Sequence, residues 1–180
     1  MRSRISITGQ LLISIAALLL LMPLEWFFAW FIAVSVHELF HCLALVLCNG
    51  YLEHIEFDIN GAKIQSSALT DMHTLICTSA GPIGALLLLL FRRTYPQLAL
   101  CALIQSVYNL LPIYPLDGGR IVLTITNMLL PQNTANCISA VISICTIIIV
   151  LFLSLFTSMI LHTYSPVLIP VLLFCQYCRK

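Results

Sequence analysis

Long apolar runs, separated by short polar breaks, dominate the chain. They cover about Ile5–Met22, Phe27–Cys48, Thr74–Phe91, Leu98–Leu130, Cys137–Met159 and Tyr164–Tyr177. A helix crossing a bilayer needs about 20 mostly apolar residues. The pattern therefore predicts an all-α polytopic membrane protein with about six transmembrane helices. The fourth run is interrupted by Pro112, Pro115, Gly118 and Gly119 before it resumes, and the sixth carries Pro166 and Pro170. Trp26 and Trp30 suit an interfacial belt. One stretch differs in kind. Within Tyr51–Ser67, Ile55, Phe57 and Ile59 alternate with Glu56 and Asp58, and Asn60-Gly61 follows. Alternation around Asn-Gly predicts a β-hairpin, here a small one at the membrane surface. The expected organisation is a single integral membrane domain over 1–180. Its core is 26–130, its hairpin 51–67, and its terminal spans 5–22 and 137–177.

Composition agrees with this reading. Hydrophobic residues make up 61% of the 180 and charged residues only 8%. Soluble domains are roughly 45–50% apolar and about 25% charged. A net charge of +1 gives no electrostatic case for nucleic acid. Arg2 and Arg4 at one end, with Arg179 and Lys180 at the other, favour cytoplasmic termini. Arg92 and Arg93 then fall on the outer side, against the same rule. No small-residue cleavage site follows the first run, so a retained span is expected rather than a signal peptide. The eight cysteines mostly read as small hydrophobes. Cys175 and Cys178 have CxxC spacing without a second pair, which reads as a helix end.

Most charges mark termini, loops and interfaces. Glu38, Asp117 and Arg120 instead lie within or beside apolar sequence, where an ionisable group is costly and points to function. Glu38 belongs to His37-Glu38-Leu39-Phe40-His41. Positions i and i+4 share a helix face, so His37 and His41 can bind one Zn²⁺ while Glu38 acts as general base. Roughly 0.003 such matches are expected by chance at this composition. A third ligand is needed. The extended pattern HExxHxxGxxH fails, with Ala44 and Leu47 at its last two positions. Glu53 and Glu56 lie in the predicted hairpin, and Asp117 is the other carboxylate embedded in apolar sequence.

Asp117 closes the run Asn109-Leu-Leu-Pro112-Ile-Tyr-Pro115-Leu-Asp117-Gly-Gly-Arg120. The prolines break the helix, and Gly118 and Gly119 allow a tight turn. Irregular backbone at membrane depth lines a hydrated cavity or is buried in protein. Asn109 offers donors and an acceptor toward the same pocket.

HELFH in one span and NLLPIYPLDGGR two spans later resemble the site-2 protease family of intramembrane zinc metalloproteases. Ala80-Gly81-Pro82 also resembles that family's glycine-containing third span. The likeness extends over about Trp26–Leu130. The compact form, without a PDZ insertion, is most similar to the branch containing the bacterial stage IV sporulation protease, although no CBS domain follows. Phe40 stands where glycine is common in the motif. The resemblance implies one Zn²⁺ held by His37, His41 and Asp117, with Glu38 as catalytic base. It implies that Asn109, Pro112 and Pro115 help hold substrate, and that the hairpin edge takes an extended substrate by strand addition.

The expected protein is thus a multi-pass peptidase of a bacterial cell membrane. It would cut membrane-embedded or membrane-associated proteins, such as a pro-sigma or anti-sigma factor, and could answer to an inhibitory membrane partner. Two other readings use the same residues: a catalytically inactive relative that binds membrane partners, and a metal transporter. No chain of polar residues leads across the membrane, which weighs against transport.

Overall fold

The structure is a computed structural model that describes residues 4–7, 19–20, 22–48, 52–58, 61–66, 70–161 and 168–178. The elements are β1 (Arg4–Ile7), α1 (Leu24–Leu47), β2 (Leu52–Asp58), β3 (Gly61–Ser66), α2 (Asp71–Leu87), α3 (Pro96–Asn109), α4 (Asp117–Leu129), α5 (Gln132–Leu161) and α6 (Leu168–Cys178). A 3-10 turn, Leu88–Phe91, extends α2. Two compact units divide the chain, Met1–Tyr108 and Asn109–Lys180.

Three helices among the described residues are long and apolar enough to cross a membrane: Leu24–Leu47, Asp71–Phe91 and Gln132–Ile160. At 1.5 Å per residue, α1 is about 36 Å long, more than the roughly 30 Å hydrocarbon core. Large apolar side chains such as Leu39, Leu43, Leu90, Ile104, Phe152 and Phe156 are exposed. Apolar surface on this scale suits lipid rather than water.

In the first unit, small residues set the packing. Ala29 and Ala33 of α1 form a buried cluster with Cys101 and Ala102 of α3, flanked by Trp26, Trp30, Leu88 and Leu98. Helices gain little hydrophobic drive from one another in lipid, so close approach through small residues carries the association. Ser106, fully buried in α3, donates to Pro82 O of α2 at 3.2 Å and to Ala102 O at 2.8 Å. The same unit contains a three-stranded sheet of order β1-β2-β3. β2 and β3 pair antiparallel, with Asp58 opposite Gly61. The two-residue connection is therefore 59–60, and those residues lie outside the described set. β1 pairs parallel with β2, Arg4 opposite His54 and Ile7 opposite Phe57.

In the second unit, α5 packs against both α4 and α6. Its buried face begins with Ala135, Ser139 and Ser143 at four-residue spacing, which puts small side chains in one stripe.

Several expected boundaries change. The run Ile5–Met22 does not begin as a helix: Arg4–Ile7 is a strand, Leu19 and Leu20 are helical, and most of the rest lies outside the described residues. Arg4-Ile5-Ser6-Ile7 alternates with period two, which suits a strand better than a span. The run Leu98–Leu130 is two helices, α3 and α4, parted by residues 110–116 because Pro112 and Pro115 cannot donate backbone hydrogen bonds. Gly118 and Gly119 lie in the first turn of α4 rather than in a turn before it. A Cβ on Gly118 would meet the Leu110 carbonyl, and one on Gly119 the Ile113–Tyr114 backbone. Close backbone approach, not turn geometry, is what glycine serves there. Of the last run, the described residues Leu168–Cys178 form a helix, α6; its expected start, 164–167, lies outside the described residues.

Candidate active site

α1 carries His37 and His41 on one face. His37 is 2% exposed and His41 half-buried. Their rings lie 4.7 Å apart at 83°, and the two Nε2 atoms approach to 3.1 Å. His41 Nδ1 donates to the backbone carbonyl of Cys77 in α2, at 2.7 Å. A carbonyl only accepts, so this bond places the His41 proton on Nδ1. In the neutral ring Nε2 then carries a lone pair. The bond both chooses the tautomer and aims the ring, as partners of metal-binding histidines do.

The Nε2 separation suits a shared ion. Two ligands at tetrahedral positions about 2.0–2.1 Å from a zinc ion would stand roughly 3.3 Å apart. The 3.1 Å spacing is within a few tenths of an ångström of that. The residues present in α1 therefore fit zinc.

Two glycines of α2 make the approach of α1 possible. A Cβ on Gly81 would meet the His41 imidazole, at 2.5 Å from Cε1 and 2.7 Å from Cδ2. A Cβ on Gly84 would meet Phe40, at 2.5 Å from Cδ2. Phe40, the bulky residue within HELFH, is thus accommodated by a glycine on the facing helix. Glu38 lies between the two histidines in sequence and is half-buried.

The other sequence-predicted residues are close together in the chain. Asn109 ends α3, and Asp117 begins α4 after Leu116, an extended residue at φ −61° and ψ 162°. A carboxylate in the first turn of a helix is favoured by the helix dipole. Pro112 and Pro115 lie between them and are half-buried, while Ile113 is fully buried. Ile113 N–H donates to Leu111 O at 2.7 Å, and Leu116 N–H to Ile113 O at 2.8 Å. The Tyr114–Pro115 peptide is cis. Ser143 of α5 contacts this segment, accepting from Tyr114 N–H at 3.2 Å.

Sequence reasoning did not find the roles of the Cys77 carbonyl, Ser106 or Ser143. The first is a backbone atom and leaves no mark in residue identity. The serines are single small polar residues in apolar helices, and no spacing marks them. Ala80-Gly81-Pro82 did stand out, but its contact with His41 appears only in three dimensions.

The sequence matches the family described as Peptidase family M50 over residues 62–153, just over half of the chain. That region contains the Asp117 segment and begins after HELFH. The fold is similar to a site-2 protease from Methanocaldococcus jannaschii, with a TM-score of 0.68 at 20% identity. The likeness covers 98% of this chain and 89% of that one. No curated protein matches the sequence.

Proposed function

We propose a specific chemistry for this chain, which belongs to peptidase family M50 and is a zinc metalloprotease of the membrane: hydrolysis of peptide bonds in membrane-embedded or membrane-associated proteins. The observation that carries it is the His37–His41 pair, with its Nε2 atoms converging and its tautomer set from Cys77. Asp117 would be the third ligand. What supports that role is the sequence: Asp117 is the other carboxylate embedded in apolar sequence, and it closes a motif that resembles the family's ligand-bearing segment. Two imidazoles and a carboxylate form a donor set of the kind catalytic zinc uses.

When bound, zinc supplies Lewis acidity, polarising the scissile carbonyl and acidifying water near neutral pH. The chain's own groups do the rest. Glu38 takes a proton at its carboxylate as water attacks, and later returns it to the leaving amide nitrogen. His41 is kept from turning by its bond to Cys77 O. Asn109, Pro112 and Pro115 hold an unwound stretch of substrate. Unwinding is required because carbonyls of an intact substrate helix are bonded within it. The sheet offers outer edges on β1 and β3, and an extended substrate segment would add to β3.

The whole chain acts as one multi-pass peptidase domain of a bacterial cell membrane. The resemblance to the sporulation branch favours a membrane-associated pro-protein, such as a pro-sigma factor, as substrate. The test uses purified protein in detergent and a single-span peptide carrying a mid-span Gly-Pro pair. Cleavage within the span, abolished by chelator and restored by zinc, is expected. Zinc binding with no cleavage of this peptide or of spans with other helix breakers refutes the reading.

A further inference from the structure

Ser143 is fully buried on the small-residue face of α5, and nothing in peptide hydrolysis calls for it. Its hydroxyl lies among three backbone groups. Tyr114 N–H donates to Oγ at 3.2 Å. The carbonyls of Ser139, at 2.8 Å, and Pro112, at 3.3 Å, stand ready to accept from it. A hydroxyl has one proton and two lone pairs. It divides its donation between the two carbonyls while accepting from Tyr114 throughout.

The segment it touches has few backbone handles. Two of its residues are prolines without N–H groups, and the Ile113 and Leu116 N–H groups close turns internal to the segment. Ser143 grips it at Pro112 and Tyr114, on either side of the fully buried Ile113, and so ties it to a 30-residue helix. Asp117 follows directly.

We propose that Ser143 is a positioning residue: it fixes the 110–116 backbone that carries Pro112 and Pro115 and leads into Asp117. This rests on the reading of that segment as substrate-binding, but its first test does not need cleavage.

Hydrogen exchange at the Tyr114 amide is compared in the full-length protein with Ser143→Ala, Ser143→Cys and Ser139→Ala. Ser139→Ala removes a hydroxyl one turn away on the same face. Exchange should rise about 10-fold in Ser143→Ala, equivalent to about 1.4 kcal/mol. It should be intermediate in Ser143→Cys, whose sulfur is a weaker acceptor, and unchanged in Ser139→Ala. KM for the single-span peptide should rise with exchange, while bound zinc stays at the wild-type level. Unchanged exchange in Ser143→Ala, equal acceleration in Ser139→Ala, or accelerated exchange with unaltered KM overturns the proposal. If Ser143→Ala fails to fold, Ser143→Cys decides by the same criteria. A wild-type protein that cleaves nothing refutes the peptidase reading instead, and the exchange comparison then decides the anchor by itself.

Discussion

Replacing Gly81 with alanine should damage the proposed metal site through a single methyl group. The added Cβ would stand 2.5 Å from His41 Cε1 and 2.7 Å from Cδ2, where ordinary contact needs 3.4 Å or more. Nε2 lies closer still, so the imidazole must retreat by about 1 Å, or α1 and α2 must part by a similar amount. Either movement strains the 2.7 Å bond from His41 Nδ1 to Cys77 O. Loss of such a partner typically costs 10–100-fold in metal affinity. Zinc affinity in Gly81→Ala should therefore fall about 10–100-fold, measured by competition with a chromophoric chelator in detergent. Cleavage at limiting zinc should fall in parallel. Propensity predicts the opposite for stability, since alanine favours a helix interior by about 1 kcal/mol over glycine. Overpacking typically costs 1–3 kcal/mol, so the apo protein should be equally or less stable. Gly84→Ala provides the contrast, because its Cβ would meet Phe40 instead of His41. It should lose stability while keeping zinc affinity within a few-fold of wild type. A Gly81→Ala protein with wild-type zinc affinity, or a Gly84→Ala protein with the larger loss, would refute the reasoning.

Other substitutions follow from the same geometry. Asp117→Asn should lower zinc retention by elemental analysis at least 10-fold after dialysis; retention equal to wild type would remove Asp117 from the ligand set. Ser106→Ala breaks the tie from α3 to Pro82 O and should destabilise by about 1–2 kcal/mol without changing zinc per folded chain, measured by thermal unfolding in detergent. Ala33→Leu places a large side chain in the seam with Ala102 and should cost about 1–3 kcal/mol in the same assay.

The motifs were legible because their chemistry depends on residue type and spacing. HELFH on a helix needs only the i, i+4 rule to bring two imidazoles together, and the structure does so in α1. The prolines of 110–116 likewise announced a break, which appears between α3 and α4. What could not be read was carried by backbone and by close approach. No residue code identifies the Cys77 carbonyl as the partner of His41. Gly118 and Gly119 suggested a turn because glycine permits one, but here they let helix α4 lie against the Leu110–Tyr114 backbone. The start of the first apolar run misled for a related reason. Its apolar average resembles a span, yet Arg4-Ile5-Ser6-Ile7 finds β2 as a partner, and parallel pairing between segments some 50 residues apart leaves no local signal.

The most direct measurement of the central claim is zinc content and cleavage in Glu38→Gln. The substitution keeps the side chain's size and leaves His37 and His41 in place, but removes the proton-accepting carboxylate. One zinc per chain is expected, as in wild type, with cleavage of the single-span peptide reduced about 10²–10⁴-fold, the usual worth of general acid–base catalysis. A Glu38→Gln protein that binds zinc and cleaves at the wild-type rate would contradict it.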